Sequence, residues 1–319
     1  MTNCVFICVI NNIVVQQKFA NDVEIIANEQ NQNYPIIRLT NNKDVIIKFL
    51  SPELEQLIGL IEFRHIQENE TLVAFSEGKF DETKDNSLAY LNLHLSLLKM
   101  YFTCLWMIKD NSVDFDLGFL YFRNIRNEIE VSSNIFSASN FSCQGNSKLV
   151  SFSVAELKQA SEFLKESIVI ESDKLKSANS YKYGRITISN YFIQHARSCS
   201  DLGLKMTSYC SSLETLFSND NTELSHKLAE RVAHFLSVDK IKRINLFKLM
   251  KKAYEVRSKV VHGGTFKPEK IKEIETLIIE VDKICRQIMI YAFTRPDPDN
   301  IFNWSNENHE AYFLDLIMT

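Results

Sequence analysis

The chain has 319 residues, a net charge of −4, 45% apolar residues and 24% charged residues, which is length for two domains and the composition of an ordinary globular protein. With only 8 Gly and 5 Pro, long flexible linkers and collagen-like or low-complexity character are excluded. A chain of this size buries roughly 75% of its unfolded surface, so its stability requires neither disulfides nor a structural metal.

Residues 1 to about 80 read as β-rich. Short β-branched runs at 5–10, 13–15, 23–26, 36–39 and 45–50 are separated by turn segments such as Asn11-Asn12 and Asn41-Asn42-Lys43-Asp44. The first residues lack a basic region and do not read as a signal peptide. Ser51 and Pro52 predict a short helix that stops at Gly59, and 61–66 and 72–75 read as further strands. A strong helix is predicted over 86–110, where Leu91, Leu95, Leu98, Phe102 and Leu105 recur near a 3.6-residue period. Its apolar stretch holds His94 and Lys99 and is short against the ~20 residues of a membrane span, so a core helix and no membrane contact are expected. Segments 117–124 and 129–136 alternate as strands. Ser153 and Glu156 form a capping-box pattern that opens a helix to about residue 169.

The polar segment 171–183, or a point slightly before it, reads as the domain boundary. Beyond it the pattern is helical, at 189–199, 202–217, 222–236, 240–262 and 268–292, followed by a tail with Pro296 and Pro298 whose apolar end, 312–318, can dock back as a short helix. The predicted fold class is therefore α+β: a β-rich mixed domain over 1–175, an all-α helical bundle over 185–295, and a tail over 296–319. The seven cysteines, Cys4, Cys8, Cys104, Cys143, Cys199, Cys210 and Cys285, are odd in number and form no Cys-x-x-Cys pair. This usage fits a reducing, cytoplasmic setting without a zinc site.

Charge is distributed unevenly. Between residues 238 and 272, eleven Lys or Arg stand against three acids, a local charge of +8. Such a run is either a solvated helix face or an electrostatic footprint for phosphates. In the same helix Arg257 follows Leu246 by eleven residues, about three turns, which sets it on the side of Leu246, Met250 and Ala253. A charge on an apolar face must be paired or used. His262 stands in the last turn, just before Gly263-Gly264. Taken singly, Arg257 could serve only a buried pair and His262 only a helix cap. Glu214 and Arg231 also fall beside apolar stripes, so Glu214 is expected to pair with Arg231 or Arg257. His94, His195, His226, His234 and His309 read as isolated structural or surface residues. No dinucleotide fingerprint, phosphate loop or metalloprotease motif occurs.

Three blocks in order, Ser212-Leu213-Glu214-Thr215-Leu216-Phe217, then Leu224-Ser225-His226-Lys227-Leu228-Ala229-Glu230-Arg231-Val232-Ala233, then Ala253-Tyr254-Glu255-Val256-Arg257-Ser258-Lys259-Val260-Val261-His262-Gly263, resemble the Apea-like branch of the HEPN superfamily. The resemblance covers about residues 187 to 293 and does not extend to the N-terminal half. It implies a dimerising helical bundle and, in many members, a metal-independent ribonuclease of antiphage defence or toxin–antitoxin systems. The Arg and His of the Arg-x4–6-His motif would then meet across the dimer. Carried onto this sequence, Arg257 and His262 are the implied catalytic pair, with Ser258, Glu214, Arg231 and Tyr254 in support. Lys251, Lys252 and Lys259 would hold the RNA backbone.

The residue types suit that chemistry. Histidine can take or give the 2′-hydroxyl proton near neutral pH, and arginine presents a planar fork to a phosphate. No cofactor and no metal are expected. The expected partners are RNA, a second copy of the chain, and a regulatory partner or phage trigger acting through the N-terminal domain. Two other readings stand beside this one: a non-catalytic nucleotide-binding, RNA-binding or dimerisation module, and a purely structural role for Arg257 and His262 in a buried polar network.

Overall fold

The computed structural model describes residues 2–19, 21–25, 35–68, 72–80, 86–124, 126–134, 137, 139–172, 184–220 and 222–318. The fold is α+β and divides into two units, residues 1–140 with 147–165, and residues 141–146 with 166–319. The polar segment expected to separate the domains lies, from residue 173 to 183, outside the described residues. The division falls slightly before that segment, between Lys165 and Glu166, inside a helix.

In the first unit, β1 (Thr2–Ile10) pairs antiparallel with both β5 (Leu72–Phe80) and β6 (Gly118–Arg123). With β3 (Val23–Glu24), β4 (Arg38–Thr40) and β7 (Ile129–Ser133) these form a sheet of order β3-β4-β5-β1-β6-β7. Side chains alternate across β1, as the two-residue strand period requires. Ile7 and Val9 join Ile46, Ile66, Val73 and Phe119 in a cluster on one face. On the other face the Phe6 ring lies 4.6 Å from that of His94, and Gly118 sits hard against Leu95, Phe6 and Cys8. His94 and Leu95 belong to α4 (Ser87–Ile108). Among the described residues α4 is the one helix long and apolar enough to cross a membrane, and most of its apolar stretch is buried within the protein. A short parallel pair, β2 (Ile13–Val14) with β8 (Val150–Ser151), precedes α5 (Val154–Ser172). There the Ser153–Glu156 capping box forms as predicted, with Ser153 N–H donating to Glu156 at 2.8 Å and Glu156 N–H donating to Ser153 Oγ at 3.2 Å.

Two predicted strands are helices. Of residues 45–50, the first three lie in α1 (Lys43–Ile47) and the rest in the turn that follows, because Asn42 accepts from Asp44 N–H and starts a helix that outweighs the β-branched run. Residues 61–66 lie in α3 (Leu60–Glu68), directly after α2 (Pro52–Ile58) and Gly59, whose φ of +87° turns the chain between them. Ile66 is the buried residue of α3 and joins the cluster around Ile7, and the helix also packs against α1 and α2.

The second unit is helical: α6 (Arg185–Ser198), α7 (Leu202–Phe217), α8 (Leu224–Leu236), α9 (Lys240–Val261), α10 (Pro268–Thr294) and α11 (Asn306–Met318), with one 3-10 turn at Ile301–Asn303. Helix α7 contacts α6, α8, α9 and α10. Its buried residues cover a little over half the circumference, with Met206, Tyr209, Cys210, Leu213, Leu216 and Phe217 forming the apolar stripe at its centre, a wider face than a surface helix needs. The tail past residue 295 is folded, with α11 packed on α8.

Candidate active site

Helix α9 carries the site residues. Asp239 caps its start by accepting from Lys242 N–H at 2.8 Å. At its end Gly263, with φ +73°, donates to Val260 O at 2.9 Å, and Gly264 donates to Lys259 O at 2.8 Å. This paired arrangement is the glycine-dependent helix stop of the Schellman type. It leaves His262 as the C-cap, exposed, its N–H on Ser258 O at 3.1 Å.

Met250, Ala253 and Val256 bury the inner face of α9, and Arg257 lies half-buried beside them. Its Nη2 is 3.6 Å from Glu214 Oε2 on α7, and its guanidinium lies 5.1 Å from the centre of the Tyr254 ring. Burial pushes the Glu214 carboxyl above its ordinary range, while the Arg257 charge and a hydrogen bond from Tyr254 pull it back. The Tyr254 hydroxyl is raised in turn, first by burial and then by the Glu214 charge. Glu214 Oε1 and Arg257 Nε are buried without a hydrogen-bond partner, so the pair is only partly satisfied.

Arg231 is not part of this cluster. It is buried, donates to Phe217 O at 2.7 Å, pairs with Glu310 of α11 and lies 5.1 Å from the centre of the Phe313 ring. Of the two pairings expected for Glu214, the one with Arg257 forms, because α11 supplies Arg231 with its own carboxylate. Lys252 is exposed, 4.0 Å from Glu273, and Lys259 is exposed with its ammonium 4.8 Å from the Phe266 ring centre. Ser258 is half-buried.

Lys251 departs from the other lysines. It donates to Ser225 Oγ at 3.0 Å and lines an open cleft of about 650 Å³ with Glu223, Leu224, Ser225, His226 and Tyr254. The His226 ring stands edge-on to Phe247, centres 5.2 Å apart. No side chain caps the start of α8, where Glu223 takes a left-handed conformation. The sequence reading passed over Ser225 and His226 as cleft residues. At about 100° per residue, Lys251, Tyr254, Ser258 and His262 fall within an arc of roughly 80°, so from Lys251 onward this face of α9 carries polar groups. Arg257 lies about 140° round the axis from His262, on the side of Glu214.

Chemically, the surface offers an exposed imidazole at one end, a lysine–hydroxyl pair at the other, and a half-satisfied arginine at its flank. Comparisons with family models, with curated proteins and with solved structures find no significant match to this chain.

Proposed function

We propose that the helical unit is a metal-independent endoribonuclease of the HEPN type, acting as a homodimer on RNA in the cytoplasm, in bacterial antiphage defence or a toxin–antitoxin-like system. The observation that carries this reading is the end of α9, where the Gly263-Gly264 stop presents the His262 imidazole to solvent five residues beyond an arginine with a buried, unpartnered Nε. His262 would take or give the proton at the 2′-hydroxyl or the leaving oxygen. Arg257 would bear on the negative charge gathering at the phosphate, the kind of charge that a preorganised cation stabilises. Because the two side chains leave α9 in directions about 140° apart, a second copy supplying the complementary member of each pair makes a compact site. Lys252, Lys259 and Lys251 would hold the backbone, and Ser258, Glu214 and Tyr254 would keep Arg257 and the helix end in position. The N-terminal unit would carry the regulatory partner or the trigger.

The test is cleavage of total and synthetic RNA by the full chain and by His262→Ala, with chelator present. Cleavage by the wild type alone supports the reading, and equal cleavage by both proteins removes His262 from it. One observation favours a second reading, a non-catalytic RNA- or nucleotide-binding module: Arg257 is already engaged by Glu214 within its own chain. RNA binding without cleavage by either protein selects that one.

A further inference from the structure

The cleft at the Lys251 end of the polar face of α9 has the size of a small-ligand site, which typically encloses roughly 300–1,000 Å³. Its lining is specific in kind. The Lys251 ammonium stands 3.0 Å from the Ser225 hydroxyl, a cation beside a hydrogen-bonding group such as phosphate oxygens engage. Next to them are two rings, the exposed His226 imidazole braced against Phe247 and the half-buried Tyr254 ring with Arg257 over it. Rings bordering a cationic groove are the usual platform for unpaired bases. The one carboxylate in the lining, Glu223, is exposed.

We propose that this cleft is a nucleotide subsite for single-stranded RNA, in which Lys251 and Ser225 take a backbone phosphate and His226 and Tyr254 flank its base. Eleven residues separate Lys251 from His262, about 16 Å of helix, so the strand runs along α9 and the subsite holds a nucleotide several positions from the bond facing His262. The proposal rests on the RNA-binding part of the reading above, but its chemistry needs neither His262 nor Arg257. It makes the cleft a determinant of which RNAs are held, separate from the group that cuts them.

The experiment is fluorescence anisotropy of a labelled oligoribonucleotide of about eight residues against full-length protein in a His262→Ala background, titrated across salt concentrations. Lys251→Gln is expected to weaken binding about tenfold and to lower the salt slope by about 0.7, the share of one phosphate on a single strand. His226→Ala is expected to weaken binding at least fivefold through lost stacking, with the salt slope unchanged. Lys283→Gln, on α10 and paired with Glu280, serves as the control and is expected to bind as the parent does. Thermal melts confirm that each variant is folded. Parent-like binding by both cleft variants overturns the subsite, as does a parent that does not bind the oligonucleotide. A loss with Lys251→Gln but none with His226→Ala overturns the base platform. Cleavage by wild type together with parent-like cleft variants sinks the subsite alone, whereas cleft-dependent binding without any cleavage sinks only the nuclease reading.

Discussion

Arg257 and Glu214 face each other at 3.6 Å between α9 and α7, yet each keeps one buried polar atom, Nε and Oε1, without a partner. A pair left in that condition adds little stability by itself, but it is costly to break, because the surviving charge stays partly buried. Arg257→Ala is therefore expected to destabilise the helical unit by about 2 kcal/mol, below the range for fully buried pairs since both side chains retain some solvent contact. Adding Glu214→Gln to Arg257→Ala should recover about half of that loss. A double-mutant cycle by denaturant unfolding measures it, and strictly additive effects would remove the coupling.

The same pair sets a pH dependence. Burial raises the Glu214 carboxyl above its ordinary value of 4.5. Between that value and the raised one, the folded state binds the proton more tightly than the unfolded chain, so the contribution of Glu214 to stability is present at low pH and falls as pH rises through the window. Relative to Glu214→Gln, which does not ionise, the wild type should lose melting temperature between pH 4 and pH 7. A difference that is flat or of opposite sign across that range would show that Arg257 and Tyr254 outweigh the burial.

His262 is exposed and ends its helix, so His262→Ala should cost no more than about 1 kcal/mol of stability. RNA cleavage should fall by about 10²–10⁴-fold, the worth of a positioned acid or base. Melting curves and cleavage rates on the same preparation separate the two effects. A large drop in melting temperature with residual RNA binding intact would make His262 a structural residue.

Gly203, in the first turn of α7, lies where an added Cβ would come within 2.7 Å of Val260 Cγ2. Valine cannot swing aside cheaply, so Gly203→Ala should cost about 1–3 kcal/mol by overpacking. It should also disturb the turn of α9 that ends at His262, lowering RNA cleavage more than RNA binding. A neutral melt would mean that the two helices slide apart without penalty.

The helices of the second unit were legible because their periodicity and the Gly263-Gly264 stop agree, and the structure adds local caps at Asp201 and Asp239. The N-terminal unit was harder, since runs such as Val45-Ile46-Ile47 satisfy strand propensity and only the Asn42 cap decides for a helix. Within the site, the inward phase of Arg257 was readable from spacing, and its link to Glu214 only as one of two options beside Arg231. The partner of Arg231 was not, because Glu310 lies 79 residues away on a segment that reads as a tail. The cleft escaped for a related reason. Ser225 and His226 on α8 gain meaning only when α9 brings Lys251 and Tyr254 alongside, and that is a tertiary fact.

The folded tail sets where this unit can be cut. The family resemblance fades near residue 293, and a fragment ending at 295 would look complete by sequence. It would lack Phe302 and Phe313, whose rings stand 5.4 Å from that of Phe217, and it would strip Arg231 of its only ion-pair partner among the described residues, Glu310. Phe217 closes the helix that bears Glu214, so the exposed aromatic surface would open at the foot of the arginine cluster itself. A minimal version of the helical unit, or a fusion joined at its end, has to keep the chain through Met318, and residues 296–318 are better regarded as the last structural layer of the bundle than as an appendage.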